Sequence, residues 1–153
     1  MRRATILAAT LLSGLAVRSS VSQTAADSAS VTGFYGRWFG SATQGFAAYA
    51  RFYATDGYLL PPGSPPVVGR AAIAAWFEQT RAAASYTVRP EGIAVNEMRF
   101  LGTEWVVYRS TRRGQRVPRA GGDAAPFETK YVDLLHRTAD GWEVVFRMWS
   151  DNR

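Results

Sequence analysis

The chain has 153 residues, the length of a single domain. Hydrophobic residues make up 47% and charged residues 20%, which excludes a disordered or fibrous protein. No cysteine is present, so disulfides and a lipid anchor on cysteine are excluded. The net charge of +6 would favour nucleic-acid binding, but Arg2, Arg3 and Arg18 lie in a segment that we expect to be removed. Without these three arginines, the 18 basic residues fall to 15 against 12 acidic ones, and the net charge falls to +3. At this net charge we expect no nucleic-acid partner.

The first 22 residues have the pattern of a secretory signal peptide. Arg2 and Arg3 precede an apolar run, and Ser20 and Ser22 provide the small side chains typical of a cleavage site. The apolar run of about 14 residues is shorter than the roughly 20 that a membrane span needs; an uncleaved anchor is the alternative. We therefore expect cleavage near Ser22 and export, to the periplasm or out of the cell, with no membrane partner beyond export.

The beginning of the mature chain is expected to be helical. Residues 23–30 are small and polar, and we expect a flexible leader there. From Val31 to Tyr53, aromatic residues recur at spacings of three and four, which predicts an amphipathic helix. Gly40 and Gly45 interrupt this pattern, so two helices with a break between them are expected.

A short strand, a proline-rich loop and a helix are expected next. Asp56-Gly57 predicts a turn that is capped by the Asp56 side chain. Tyr58–Leu60 is predicted to form a short strand. Four prolines within residues 61–66 remove backbone donors and predict a rigid extended loop. Apolar residues at helical spacing predict a helix over Arg70–Ala84.

The second half of the chain has the alternation of β-strands. Strands are predicted over Tyr86–Phe100, Glu104–Arg112, Phe127–Thr138 and Trp142–Ser150. Asp140-Gly141 predicts a hairpin turn between the last two. Residues 113–126 are expected to form a loop. The basic cluster of Arg112, Arg113, Arg116 and Arg119 is expected to be solvated.

The order of these elements indicates the fold. Helices followed by an antiparallel meander are typical of an α+β domain. A curved sheet wrapped around the helices would leave a conical cavity between them. We expect one domain over residues 31–153, without repeats.

Two segments resemble a known family. They are Phe52–Phe77, FYATDGYLLPPGSPPVVGRAAIAAWF, and Lys130–Asn152, KYVDLLHRTADGWEVVFRMWSDN. Both resemble the SnoaL-like and DUF4440 families of the nuclear-transport-factor-2-like (NTF2-like) superfamily. The resemblance implies a cone in which N-terminal helices pack in a strongly curved, mostly antiparallel sheet. The superfamily includes ketosteroid isomerases, polyketide cyclases, dehydratases and non-catalytic binding or dimerisation modules, so the fold alone does not define a function.

The resemblance does not extend to the isomerase chemistry. Counted from Asp56, the catalytic base of a ketosteroid isomerase falls on Pro61, which cannot transfer a proton. The tyrosine that donates a hydrogen bond to the oxyanion falls near Arg37. The second oxyanion donor, a protonated aspartate, falls on Asp133, and a tryptophan of the pocket falls on Trp149. One donor candidate without a base is insufficient, so we expect no isomerase activity.

The last strand is predicted to have two different faces. One carries Trp142, Val144, Phe146 and Met148, and the other carries Glu143, Val145, Arg147 and Trp149. By the resemblance, the second face points into the cavity. The first, wholly apolar face is then expected to form a homodimer interface, because a contiguous apolar surface usually marks one. The alternative is that the two faces are reversed.

Arg147 requires a partner if it is buried, because an unpaired charge is costly in an apolar interior. Asp133 on the neighbouring strand and Glu143 on the same strand are the candidates. If Asp133 pairs with Arg147, it stays ionised and cannot donate to an oxyanion. If neither carboxylate reaches Arg147, an anionic ligand can fill this role. We favour the ion pair.

A ligand site is expected in the cone. Its predicted residues are Tyr53, Leu60, Trp76, Tyr108, Asp133, Arg147 and Trp149. The aromatic members could hold a flat apolar ligand; alternatively, they fill the core. His136, the only histidine, is expected to be solvated, and no motif for a metal or another cofactor is present.

Three functions are compatible with this pattern. The first is an exported dimer that binds a small apolar or anionic molecule without defined catalysis. The second is an enzyme of the ketosteroid-isomerase, cyclase or hydratase type that uses Asp133, Tyr108 or Arg147, although no catalytic residue is assigned. The third is an interaction module that acts through the apolar sheet face.

Overall fold

The computed structural model describes residues 13–152, with side chains from residue 24 onward. The predicted signal peptide, residues 1–22, lies outside the described side chains. The N-terminal helices are α1 (Ser13–Ser41), a 3₁₀ turn (Ala42–Gln44) and α2 (Phe46–Ala50). Gly45 has a φ of 103°, which residues with a Cβ rarely adopt, and confirms the predicted break. Within residues 13–152, no helix is long and apolar enough to cross a membrane.

The rest of the chain forms a six-stranded sheet and one further helix. The elements are β1 (Tyr53–Leu60), β2 (Val67–Val68), α3 (Arg70–Ala83), β3 (Tyr86–Leu101), β4 (Trp105–Pro118), β5 (Ala125–Thr138) and β6 (Gly141–Asn152). The sheet order is β2-β1-β6-β5-β4-β3. Neighbours are antiparallel except β1 and β6, which are parallel. The α+β fold and the meander of four strands are confirmed.

The core lies between the helices and one face of the sheet, which we call the inner face. Its fully buried members include Val31, Phe34 and Trp38 of α1, Ile73 of α3, and Val106, Leu135 and Val144 of β4, β5 and β6. The α1 residues recur at three- and four-residue spacings, so one stripe of this helix packs on the sheet. The opposite side of the sheet is the outer face.

The strand β1 is longer than predicted. It begins at Tyr53, and Asp56-Gly57 lies inside it rather than in a turn. The pairing register with β6 shifts between Tyr53 and Tyr58, which accommodates the extra residues of β1. The turn-forming dipeptide therefore marks an irregularity within a strand.

The strands β4 and β5 also extend into the predicted loop, which shrinks to residues 119–124. Gly114 is needed in β4 because a Cβ there would lie 2.4 Å from the carbonyl oxygen of Arg89 and 2.8 Å from the Phe127 ring. This glycine allows close strand packing rather than ending the strand. Arg113 and Arg116 consequently lie in β4, not in a solvated loop.

Residues 24–30 belong to α1 and do not form the predicted flexible leader. Asp27 pairs with Arg137 of β5. The indole nitrogen of Trp142 in β6 donates a hydrogen bond of 3.1 Å to the Ser30 hydroxyl. These side-chain contacts attach the helix to the sheet, although most residues of this segment are exposed.

Candidate functional site

An irregularity in β6 decides which of its side chains point into the cone. Leu134 of β5 pairs with Phe146, whereas Leu135 pairs with Val144, so Val145 is an additional residue on β6. One extra residue moves all the following side chains to the opposite face of a strand. The predicted strict alternation along β6 was therefore wrong.

This bulge corrects the predicted interface. Trp142 and Val144 lie before it and belong to the buried core of the chain, so they cannot lie on an outer dimer surface. Arg147 and Trp149 lie after it and point inward, as predicted. Each of the two predicted faces is thus correct for only part of its length.

The outer face retains the other half of the predicted interface. Phe146 and Met148 point outward, and Met148 is 41% exposed. Leu60 of β1 pairs with Met148 and lies on the same outer face, whereas its neighbour Leu59 pairs with Arg147 and points inward. The placement of Leu60 in the ligand site was therefore wrong. The homodimer itself stays a prediction.

A buried polar network lies on the inner face around Asp133 and Arg147. Asp133 is 0% exposed and Arg147 is 4% exposed. Arg147 Nε lies 3.3 Å from Asp133 Oδ1, which confirms the predicted ion pair. Tyr35 donates a hydrogen bond of 2.8 Å to Asp133 Oδ2, and Arg147 Nη1 donates one of 2.9 Å to the Tyr49 hydroxyl. Two charges and two hydroxyls thus contact one another within the chain, and Asp133 Oδ1 is held by the ion pair alone, without a hydrogen bond.

Sequence reasoning missed Tyr35 and Tyr49. The count by resemblance placed a donor tyrosine near Arg37, which is exposed, whereas Tyr35 reaches Asp133. Helical spacing was the available signal, because Tyr35 follows Val31 by four residues and precedes Trp38 by three, which places it on the buried stripe. The partner of Tyr49 depends on how α2 packs and has no local signal.

Burial and charge together set the protonation of the network. Burial raises the pKa of Asp133, whereas the charge of Arg147 and the hydrogen bond from Tyr35 lower it. Burial also lowers the pKa of Arg147, but Asp133 together with Tyr49, Tyr53 and Tyr131 outweighs this effect, and the pKa of Arg147 lies well above its ordinary value. A neutral Asp133 would leave a buried, unpaired cation, so we infer that it stays ionised at neutral pH. Burial raises the pKa of Tyr49 to about 12, so its hydroxyl keeps its proton.

Aromatic rings pack against the network and fill the narrow end of the cone. The guanidinium of Arg147 lies 4.5 Å from the ring centroids of both Trp38 and Tyr131. Tyr108 stacks on Tyr35 with a centroid distance of 3.9 Å and is buried. The chain's own side chains therefore occupy the space next to the ion pair.

The predicted ligand-binding residues divide into two groups. Tyr53, Tyr108, Asp133 and Arg147 lie in the filled narrow end and are buried. Trp76 of α3 and Trp149 of β6 lie at the wide end, where both are partly buried and their centroids are 5.7 Å apart. Tyr131 stacks on Trp149 with a centroid distance of 6.1 Å. We call Trp76, Tyr131 and Trp149 the cone mouth; Tyr131 joins the two groups, because its ring also contacts the guanidinium of Arg147.

The other titratable candidates do not join this site. Pro61, at the position of the isomerase base, is buried directly after β1 and carries no proton. Asp56 is exposed in β1. His136 lies on the outer face, with Nδ1 3.3 Å from the Glu143 carboxylate, so Glu143 is not a partner of Arg147. Within the described part of the chain, no three metal-binding side chains lie close enough together to hold an ion.

Comparisons with known proteins identify the fold. No family model and no curated protein matches the chain. A ketosteroid isomerase-like protein from Erwinia carotovora atroseptica is 20% identical, with a TM-score of 0.67 over 82% of this chain and 93% of its own. An NTF2-like protein with a cystatin-like fold from Novosphingobium aromaticivorans is 20% identical, with a TM-score of 0.63 over 90% of this chain and 88% of its own. The chain has the NTF2-like fold.

A third structural neighbour was solved with a ligand. It is a Catenulispora acidiphila protein in complex with S-DNPA, 23% identical, with a TM-score of 0.64 over 83% of this chain and 94% of its own. At these identities the likeness shows the fold alone. It agrees with the fold that the sequence resemblance implies.

Proposed function

We propose that the chain binds a small, mainly apolar molecule at the cone mouth and does not catalyse a reaction there. One observation carries this proposal: Trp76, Tyr131 and Trp149 remain partly exposed at the wide end, whereas the narrow end is closed. Clustered, partly exposed aromatic side chains are typical of small-molecule sites. The Catenulispora acidiphila neighbour in complex with S-DNPA supports a ligand-binding role for this fold.

The geometry does not favour the alternative enzyme. Asp133 Oδ2 accepts the hydrogen bond from Tyr35, and Oδ1 faces Arg147 in the ion pair, so the carboxylate is paired inside the chain. Tyr108 is stacked and buried, and Pro61 replaces the base. A general acid or base must reach the proton that it transfers, and none of these side chains has a free approach.

The proposal has a cellular context that follows from the sequence. We propose a SnoaL-like or DUF4440 protein that is exported after cleavage near Ser22. It would form a homodimer through the outer face, with Phe146 and Met148 at the contact. No cofactor, nucleic acid or membrane enters this proposal.

Calorimetric titration with 2-naphthalenemethanol, a flat and uncharged probe, tests the binding site. We expect saturable binding to the purified chain and a loss of about tenfold in affinity on Trp149→Ala, because the ring contact is removed. Trp105→Ala is the matched control, since Trp105 packs on His136 at the outer face. Absence of saturable binding, or equal losses in both variants, would contradict the proposal.

A further inference from the structure

Arg112 differs from the other arginines on the inner face. Arg147 is paired with Asp133, and Arg116 is paired with Asp151 at 2.8 Å. Arg112 has no carboxylate partner within the described residues, and its Nε is buried without a hydrogen-bond partner. A partly buried guanidinium without a counter-charge is costly, so its retention requires an explanation.

The position of Arg112 directs it towards the cone. In the sheet it lies between Ile93 of β3 and Thr129 of β5, and it shares the inner face with Ser110 and Tyr108. Its charge also acts on the buried hydroxyl of Tyr49, which accepts a hydrogen bond from Arg147. The charges of Arg147 and Arg112 therefore both lower the pKa of Tyr49, in opposition to burial.

The nearby carboxylates, Asp133 and Asp151, do not provide a counter-charge for Arg112. Asp133 is held by Arg147 and Tyr35. Asp151, opposite Thr129, accepts hydrogen bonds of 2.8 Å from Arg116 and from the Thr129 hydroxyl. The inner face of the described chain thus keeps one uncompensated positive charge, at Arg112.

Apolar surface adjoins this charge. Ile93 and Val95, both on the inner face of β3, are 42% and 53% exposed. Tyr131 and Trp149 of the cone mouth continue this apolar surface, and Tyr131 lies two residues from Thr129 along β5. A guanidinium beside apolar side chains has less competing water, and its planar fork matches a carboxylate.

We infer that the ligand of this site is an apolar organic carboxylate, whose acid group pairs with Arg112 while its apolar body contacts Tyr131 and Trp149. This inference rests on the proposed function, since it names the chemical class of the same ligand. It also moves the anion contact from Arg147, where the sequence had suggested it, to Arg112.

Two probes of the same shape test the inference: 2-naphthoate and the uncharged 2-naphthalenemethanol. Because a hydrogen bond to a charged group contributes more than a neutral one, we expect wild type to prefer the carboxylate by about tenfold to hundredfold. Arg112→Leu should remove this preference and leave the affinity for the alcohol unchanged, which also shows that the variant is folded. Arg112→Lys should retain part of it.

Arg89→Leu is the matched control, because Arg89 is exposed and pairs with Gln115 on the outer side of the hairpin. It removes the same charge and should not alter the preference. Equal affinities of wild type for both probes, or equal effects of Arg89→Leu and Arg112→Leu, would overturn the inference while the proposed function stands. Binding of neither probe would overturn both.

Discussion

The two ends of the cone use similar residues for different purposes. At the narrow end, Asp133 and Arg147 pair with each other and with Tyr35 and Tyr49, so each charge has partners inside the chain. At the wide end, aromatic rings remain partly exposed and Arg112 lacks a carboxylate among the described residues. The buried ion pair is therefore a structural element, whereas the incompletely paired wide end is the place where we expect a ligand.

The largest effect is expected when the narrow end loses one charge. Arg147→Met leaves Asp133 buried without its cation, and we expect the free energy of unfolding to fall by about 3–5 kcal/mol. Urea denaturation measures the change. Arg113→Met is the control, because Arg113 forms an exposed pair with Glu128 that solvent screens, and little change is expected there. Equal stabilities of the two variants would show that the buried pair is not structural.

Removal of one hydroxyl from the network should have a smaller effect. Tyr35→Phe deletes the hydrogen bond to the Asp133 carboxylate, and we expect a loss of about 1.5–3 kcal/mol in the free energy of unfolding. Tyr58→Phe, at an exposed tyrosine of β1, should be neutral. An unchanged stability of Tyr35→Phe would indicate that water replaces this hydroxyl and that the narrow end is open.

The raised pKa of Asp133 predicts a pH dependence of stability. The folded chain holds this proton at pH values where the unfolded chain has lost it, because burial raises the pKa in the folded state. The contribution of Asp133 is therefore complete below the ordinary aspartate pKa of about 3.9 and decreases as the pH rises through the higher folded value. We expect the stability of wild type relative to Asp133→Asn to fall over this range. A difference that is constant or increases with pH would contradict the assignment.

The smallest change in stability is expected on the outer face. Met148→Lys should convert a dimer to a monomer in analytical ultracentrifugation and leave the fold intact, because Met148 is exposed in the single chain. Leu101→Lys, at another exposed residue far along β3, is the control and should stay dimeric. Wild type that is monomeric at micromolar concentration would refute the dimer.

Much of the architecture was predictable because its signals are local. Strand alternation and the Asp140-Gly141 turn predicted the meander, and Gly45 predicted the helix break. The pair of Asp133 and Arg147 was predictable because the two residues lie on adjacent strands with one short turn between them.

The errors arise where tertiary packing overrides a local pattern. The bulge at Val145 has no signal in a run of apolar residues, yet it reverses the second half of β6. Gly114 resembles a loop residue and instead allows three strands to approach closely. Arg112 was assigned to solvent as a member of a basic cluster, although the strand places it on the inner face opposite Thr129.

A crystal structure of the chain with 2-naphthoate would locate the ligand directly. We expect the naphthalene ring against Trp149 and Tyr131, the carboxylate at Arg112, and the pair of Asp133 and Arg147 unchanged. A ligand that instead separates Asp133 from Arg147 in the narrow end of the cone would contradict it.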